Sequence, residues 1–120
     1  MKRTKATNPE LLQLITFLRK QSNENKVEIW RNVAERLAKP RRRSVPVNLS
    51  RLNRFTEKSQ TVIVPGKVLG TGEIEHAVTV TAFAFSARAK EKIEAARGKC
   101  LSFFDLVKKD PKGSKIKIIG

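Results

Sequence analysis

The sequence predicts a mixed α/β (α+β) fold, and three of its features carry that prediction. Leu11, Leu14, Ile15 and Leu18, and then Trp30, Val33, Ala34 and Leu37, recur at helical spacing. Thr61-Val62-Ile63-Val64 is a β-branched run, and Val78-Thr79-Val80-Thr81-Ala82-Phe83 alternates. Between them lies a basic stretch punctuated by Pro40 and Pro46. At 120 residues the chain is expected to form one unit with a modest core.

The elements follow in order. MKRTKAT reads as a basic tail. Asn8-Pro9-Glu10 is a helix start: Asn accepts from a free N–H, Pro has none to lose, and Glu suits the positive end of the helix dipole. Gln21-Ser22-Asn23-Glu24-Asn25 interrupts the apolar pattern and is expected to make a turn. The helix carrying Trp30 follows, and Pro40 stops it, giving a helical hairpin. Ser44 to Val47 reads as extended, and Asn48 to Arg54 as a short helix capped by Asn48, with Arg51 and Arg54 one turn apart. That segment has few apolar residues to offset the entropy of ordering, so a partner is expected to fix it.

In the second half, Thr61 to Val64 is a strand ended by Pro65-Gly66, and Val78 to Phe83 a half-buried strand with Thr on one side. Ser86 caps a helix over Ala87–Ala96, with Gly98 as its stop. Lys99-Cys100-Leu101 is a short strand, and Ser102 with Asp105 approximates a capping box for a helix from Phe103 to Val107. Asp110 to Gly113 is a turn before a last strand of Ile116, Ile118 and Ile119.

Charge narrows the function. Twenty-six Lys and Arg against eleven acids give a formal +15, where solubility of a small domain asks for only ~2–8. Such an excess costs self-repulsion unless a polyanion compensates it. Nucleic acid is the natural partner; acidic lipid would need a broad apolar helix face opposite a basic one, and these helices read as core-facing. Residues 1–60 hold fifteen basic and five acidic side chains, against eleven and six in 61–120. Lys39 to Arg54 carries six positive charges and no acid. No apolar stretch is long enough for a membrane span or a secretory signal, so a cytoplasmic location is expected.

Catalytic and cofactor chemistry find little support. PGKVLGTGEIEH (65–76) looks like a phosphate cradle, but Gly66-Lys67 is followed by Val68 and preceded at the required distance by Thr61, so a Walker loop fails. Gly70-Thr71-Gly72 opens a dinucleotide fingerprint whose third glycine is replaced by Glu75, and a strand follows where a helix is needed. The residues leave two readings open: a tight connection between strands, in which glycine permits positive φ, or a connection that also touches an RNA backbone beside Lys67. A single His76 and a single Cys100 cannot build a zinc site, and Cys100 reads as a small buried hydrophobe. Phe83, Phe85, Phe103 and Phe104 read as core, and no cofactor, metal or catalytic residue is expected.

NPELLQLITFLRK, WRNVAERLAKPRRRSVPVNLSRLNR, VIVPGKVLGTGEIEHAVTVTAFAFSARAKEKIEAA and the isoleucine-rich end together resemble the archaeal version of large-subunit ribosomal protein eighteen-e, a family related to bacterial large-subunit protein fifteen. The resemblance implies a non-catalytic ribosomal constituent that binds and stabilises ribosomal RNA. It implies a basic helical region over 1–60 that embraces rRNA and a compact α/β core over 61–120, an irregular strand-strand-helix superhelix, in one structural unit. Carried onto this chain, it implies RNA contacts at Arg41, Arg42, Arg43, Asn48, Arg51 and Arg54, joined by Lys67, Gly70, Gly72, Lys2, Arg3 and Lys5. The implied partners are large-subunit rRNA and neighbouring ribosomal proteins, with no small-molecule substrate. From charge alone, a chromatin-like general nucleic-acid-binding protein is the alternative.

Overall fold

The computed structural model describes residues 9–38, 46–113 and 115–119. Helices α1 (Pro9–Asn25) and α2 (Ile29–Ala38) form the expected hairpin. Strand β1 (Val47–Asn48) and helix α3 (Leu49–Phe55) follow. Then come β2 (Gln60–Leu69), β3 (Val78–Phe85), α4 (Ala87–Ala95), β4 (Lys99–Leu101), α5 (Phe103–Lys109) and β5 (Ile116–Ile118). The five strands form one parallel sheet of order β1-β2-β3-β4, and β5 also pairs with β2. Since β3 takes the other edge of β2, β1 and β5 share one edge: β5 along Thr61–Ile63, β1 along Val68–Leu69.

Parallel strands are stable when both faces are covered, and here they are. One face packs Val62, Val64, Val78, Val80 and Ala82 against Leu49 and Leu52 of α3 and Ala89 and Ile93 of α4. The other packs Ile63 with Leu11, Leu14, Ile15 and Leu18 of α1, Trp30 and Val33 of α2, and Phe103 and Leu106 of α5. The described part of residues 1–60 therefore contributes to both apolar clusters. The C-terminal turn is tied to the hairpin as well: the Trp30 indole N–H donates to the Pro111 carbonyl at 2.7 Å.

Several expectations need correction. Gln21–Asn25 is helical, because the buried stripe of α1 continues to Ser22, whose hydroxyl donates to the Val27 carbonyl. The chain turns at Lys26, at φ 56°, with Val27 N–H on the Ser22 carbonyl. Pro65-Gly66 does not end β2: a register shift between Val64 and Lys67 absorbs both residues, the usual place for a proline that cannot donate to a ladder. β3 is covered on both faces, and Thr81 is fully buried. At the end of α4, Arg97 at φ 68° takes the left-handed position expected of Gly98. Gly98 is glycine because an added Cβ would lie 2.3 Å from the Val78 carbonyl oxygen.

Ser102 Oγ accepts from Asp105 N–H at 3.1 Å, as the capping pattern requires, and α5 runs on to Lys109. Ser86 caps α4 through Ala89 N–H at 3.1 Å, and that helix ends at Ala95.

Candidate nucleic-acid interface

The acid-free segment is seated on the protein from Val47 onward. β1 pairs in parallel with the end of β2, and α3 follows at once, with Leu49 and Leu52 packed into the sheet's apolar cluster. Val47, Leu49 and Leu52 are buried in the core, so protein packing holds this part of the segment that the sequence assigned to a partner. Because Leu49 and Leu52 point inward, Ser50, Arg51, Arg54 and Phe55 share the exposed face. The Arg51 guanidinium lies 5.4 Å from the Phe55 ring centroid, and Lys117 Nζ donates to the Phe55 carbonyl at 2.7 Å.

Asn48 occupies the N-cap position of α3, at φ −85° and ψ 157°, but makes no side-chain cap bond. Its Oδ1 is buried with no hydrogen-bond partner among the described residues. Asn53 clamps the neighbouring segment instead. Its Nδ2 donates to Glu75 Oε1 at 3.1 Å and its Oδ1 accepts from Glu75 N–H at 2.9 Å.

The glycine stretch is a crossover between two parallel strands. Gln60 pairs with Val78, so residues 70–77 must carry the chain back along the whole of β2, beside α3. Ser50 N–H donates to the Thr71 carbonyl at 3.2 Å, and Thr56 Oγ1 lies 2.8 Å from His76 Nε2. Of the three glycines only Gly72 has positive φ, at 89°, and a Cβ there would lie 2.6 Å from Ser50 Cβ. Gly70 is buried, and a Cβ there would lie 2.7 Å from Arg88 Cγ and 2.9 Å from Ala89 N. Lys92 of α4 binds the crossover from beneath. Its Nζ donates to the carbonyls of Gly70 and Gly72 at 3.0 and 2.8 Å and to Glu73 Oε2 at 2.9 Å. The loop therefore cradles a cation, and that cation is the protein's own lysine.

Gly66 differs. It lies outside the left-handed region, and a Cβ there meets nothing within 4 Å. It sits beside exposed Lys67, on the stretch of β2 edge between the pairing positions of β5 and β1. Lys2, Arg3, Lys5, Arg41, Arg42 and Arg43 lie outside the described residues. Of the expected contacts that are described, Arg51, Arg54 and Lys67 are exposed, Asn48 and Gly72 half-buried, and Gly70 buried.

Cys100 is half-buried against the core, and burial first, then the Glu94 carboxylate, pushes its thiol pKa up to about 11, with Lys90 opposing. Among the described residues no group of His, Cys, Asp and Glu could hold a metal, and no helix is long and apolar enough to cross a membrane.

Across residues 1–120 the chain matches the family model described as ribosomal protein 60S L18 and 50S L18e. The chain belongs to this family of ribosomal proteins. It is 45% identical over 119 residues to the large ribosomal subunit protein eL18 of Methanococcus maripaludis, covering 99% of each chain. It is 46% identical over 118 residues to the protein of the same description from Methanospirillum hungatei, covering 98% of each. To that of Methanothermobacter thermautotrophicus it is 47% identical over 113 residues, 94% of this chain and 93% of the relative. The similarity spans the arginine segment, α3 and the glycine crossover together. The family is one of structural ribosomal proteins, so enzymatic readings of the glycine stretch fall away.

Sequence reasoning missed Phe55, Lys92 and Lys117. For Phe55 a signal was present, since Arg51 stands four residues before it. For the two lysines no local signal existed, because their partners lie about 20 and 62 positions away.

Proposed function

We propose that the chain is a structural constituent of the large ribosomal subunit that binds and stabilises ribosomal RNA, with α3 as the described centre of its RNA face. The observation that carries this is a helix locked inward by Leu49 and Leu52 whose outward face presents Arg51 and Arg54. A guanidinium binds phosphate oxygens through a planar fork of donors, and a helix fixed in the core has little further entropy to lose on binding. Each phosphate so neutralised releases condensed counterions, which is where the affinity of a +15 chain arises. Shape, including the close backbone approach open at Gly66 beside Lys67, supplies recognition in place of a base code.

In this reading Arg41, Arg42, Arg43, Lys2, Arg3 and Lys5 add further phosphate contacts through their charge. Residues 1–60 embrace the RNA and 61–120 give the support. Gly70 and Gly72 act through shape, letting α3, the crossover and α4 close together, and half-buried Asn48 joins the contact at the start of α3. The protein works in the cytoplasm, on the large subunit, beside other ribosomal proteins. The competing reading, a general nucleic-acid binder, is separated by competition. Labelled protein bound to protein-free large-subunit rRNA should resist a duplex DNA competitor; displacement by duplex in preference to unlabelled rRNA would reject the ribosomal reading.

A further inference from the structure

Three large apolar side chains are exposed among the described residues: Leu12, Phe55 and Phe104. Phe104 has an aromatic partner in Phe17, with ring centroids 4.5 Å apart. Phe55 has cations instead. The residue is 44% exposed, with the Arg51 guanidinium 5.4 Å from its ring centroid. Its carbonyl holds the Lys117 ammonium at 2.7 Å. Arg54 precedes it, and exposed Lys58 follows three residues on; Glu57 is the one acid between Ser50 and Ser59.

The backbone that carries the ring is also held in place. It ends a helix fixed by Leu52, and the next residue, Thr56, is buried and donates to the Leu52 carbonyl at 2.6 Å. An exposed aromatic ring on a fixed backbone, with a guanidinium over it and an ammonium on its carbonyl, matches a ligand with a flat apolar face and a negative charge beside it. An unpaired nucleotide has both: the base stacks on the ring and the phosphate meets the cations.

We propose that Phe55 is a stacking platform for one unstacked base of large-subunit rRNA, with Arg51, Arg54 and Lys117 taking the adjoining phosphates. This rests on the rRNA-binding reading above and adds a contact that phosphate neutralisation does not supply. Stacking and charge are separable by salt, because only charge neutralisation releases counterions.

The test measures binding of the full chain to protein-free large-subunit rRNA across a range of salt, for the parent, Phe55→Leu and Phe55→Trp. Phe55→Leu should weaken binding roughly 5- to 150-fold, the range for loss of one stacked base, with an unchanged salt slope. Phe55→Trp should restore affinity, and its indole emission should quench on binding. Urea unfolding of each variant shows that the fold is retained; if Phe55→Leu is unfolded, the tryptophan variant decides alone. Parent-like affinity of Phe55→Leu, or no quenching in Phe55→Trp, overturns the stacking contact and leaves the arginine contacts standing. A parent chain that itself fails to bind rRNA overturns both readings.

Discussion

Replacing Lys92 with Met removes the ammonium that holds the glycine crossover while keeping an unbranched apolar stem under it. Three acceptors lose their donor: the carbonyls of Gly70 and Gly72 and the Glu73 carboxylate, at 3.0, 2.8 and 2.9 Å. The Glu73 side chain is 73% exposed, so its pairing contributes roughly 0–1 kcal/mol. The Lys92 side chain is 28% exposed, and its bonds to the two carbonyls are charge-assisted, together about 2 kcal/mol after discounting for solvent. The expected loss is therefore about 2–3 kcal/mol. For a chain of this size each kcal/mol moves Tm by about 3–5 °C, so the midpoint should fall by roughly 6–15 °C. Urea unfolding should show a lower midpoint with the same m-value. Because Lys92 is committed inside the protein, the salt slope of RNA binding should not change. A stability loss below about 0.5 kcal/mol, with a salt slope flatter by nearly one, would refute the reasoning and put Lys92 on a phosphate.

Further substitutions probe the packing. Thr81 Oγ1 is buried without a partner among the described residues, so Thr81→Val should raise stability by about 1 kcal/mol in urea melts; a loss of that size would mean that the hydroxyl has a partner. Gly98→Ala places a Cβ 2.3 Å from the Val78 oxygen and should cost about 2–4 kcal/mol, whereas Gly66→Ala meets nothing and should add about 0.4–1 kcal/mol while weakening rRNA binding. Equal effects of the two on stability would show that Gly66 is also a packing glycine. The Cys100 pKa, near 11 against an ordinary 9.0, leaves about 100-fold less thiolate at pH 7–8. Its disulfide-reagent labelling should be slow in the folded chain and fast in urea. Since the folded state keeps this proton while the unfolded state releases it, stability should decline as pH rises from about 9 to 11.

Local chemistry made most elements legible. The apolar stripes of α1 and α2 and the oxygens of Ser86 and Ser102 announce their helices, because partner and signal lie within one turn. Ser22 misled because the acceptor of its hydroxyl, the Val27 carbonyl, comes into reach only once the chain has turned at Lys26. Pro65-Gly66 reads as a stop until β3 supplies a register shift that accommodates it. The outward arginines of α3 were legible from spacing and charge. The inward commitment of Gly70 and Gly72 was not, because the atoms that crowd them belong to Arg88, Ala89 and Ser50, on helices reached only through the fold. Burial of Val47, Leu49 and Leu52 was likewise hidden in a segment whose composition points to solvent and charge.

The central claim is that the outward arginines of α3 neutralise phosphates of large-subunit rRNA, and the salt dependence of binding tests it most directly. For an Arg51→Gln, Arg54→Gln variant of the full chain, the slope of log K against log salt on protein-free large-subunit rRNA should flatten by about 1.4–1.8, from two lost phosphate contacts. An unchanged slope, with the variant still folded, would contradict the account.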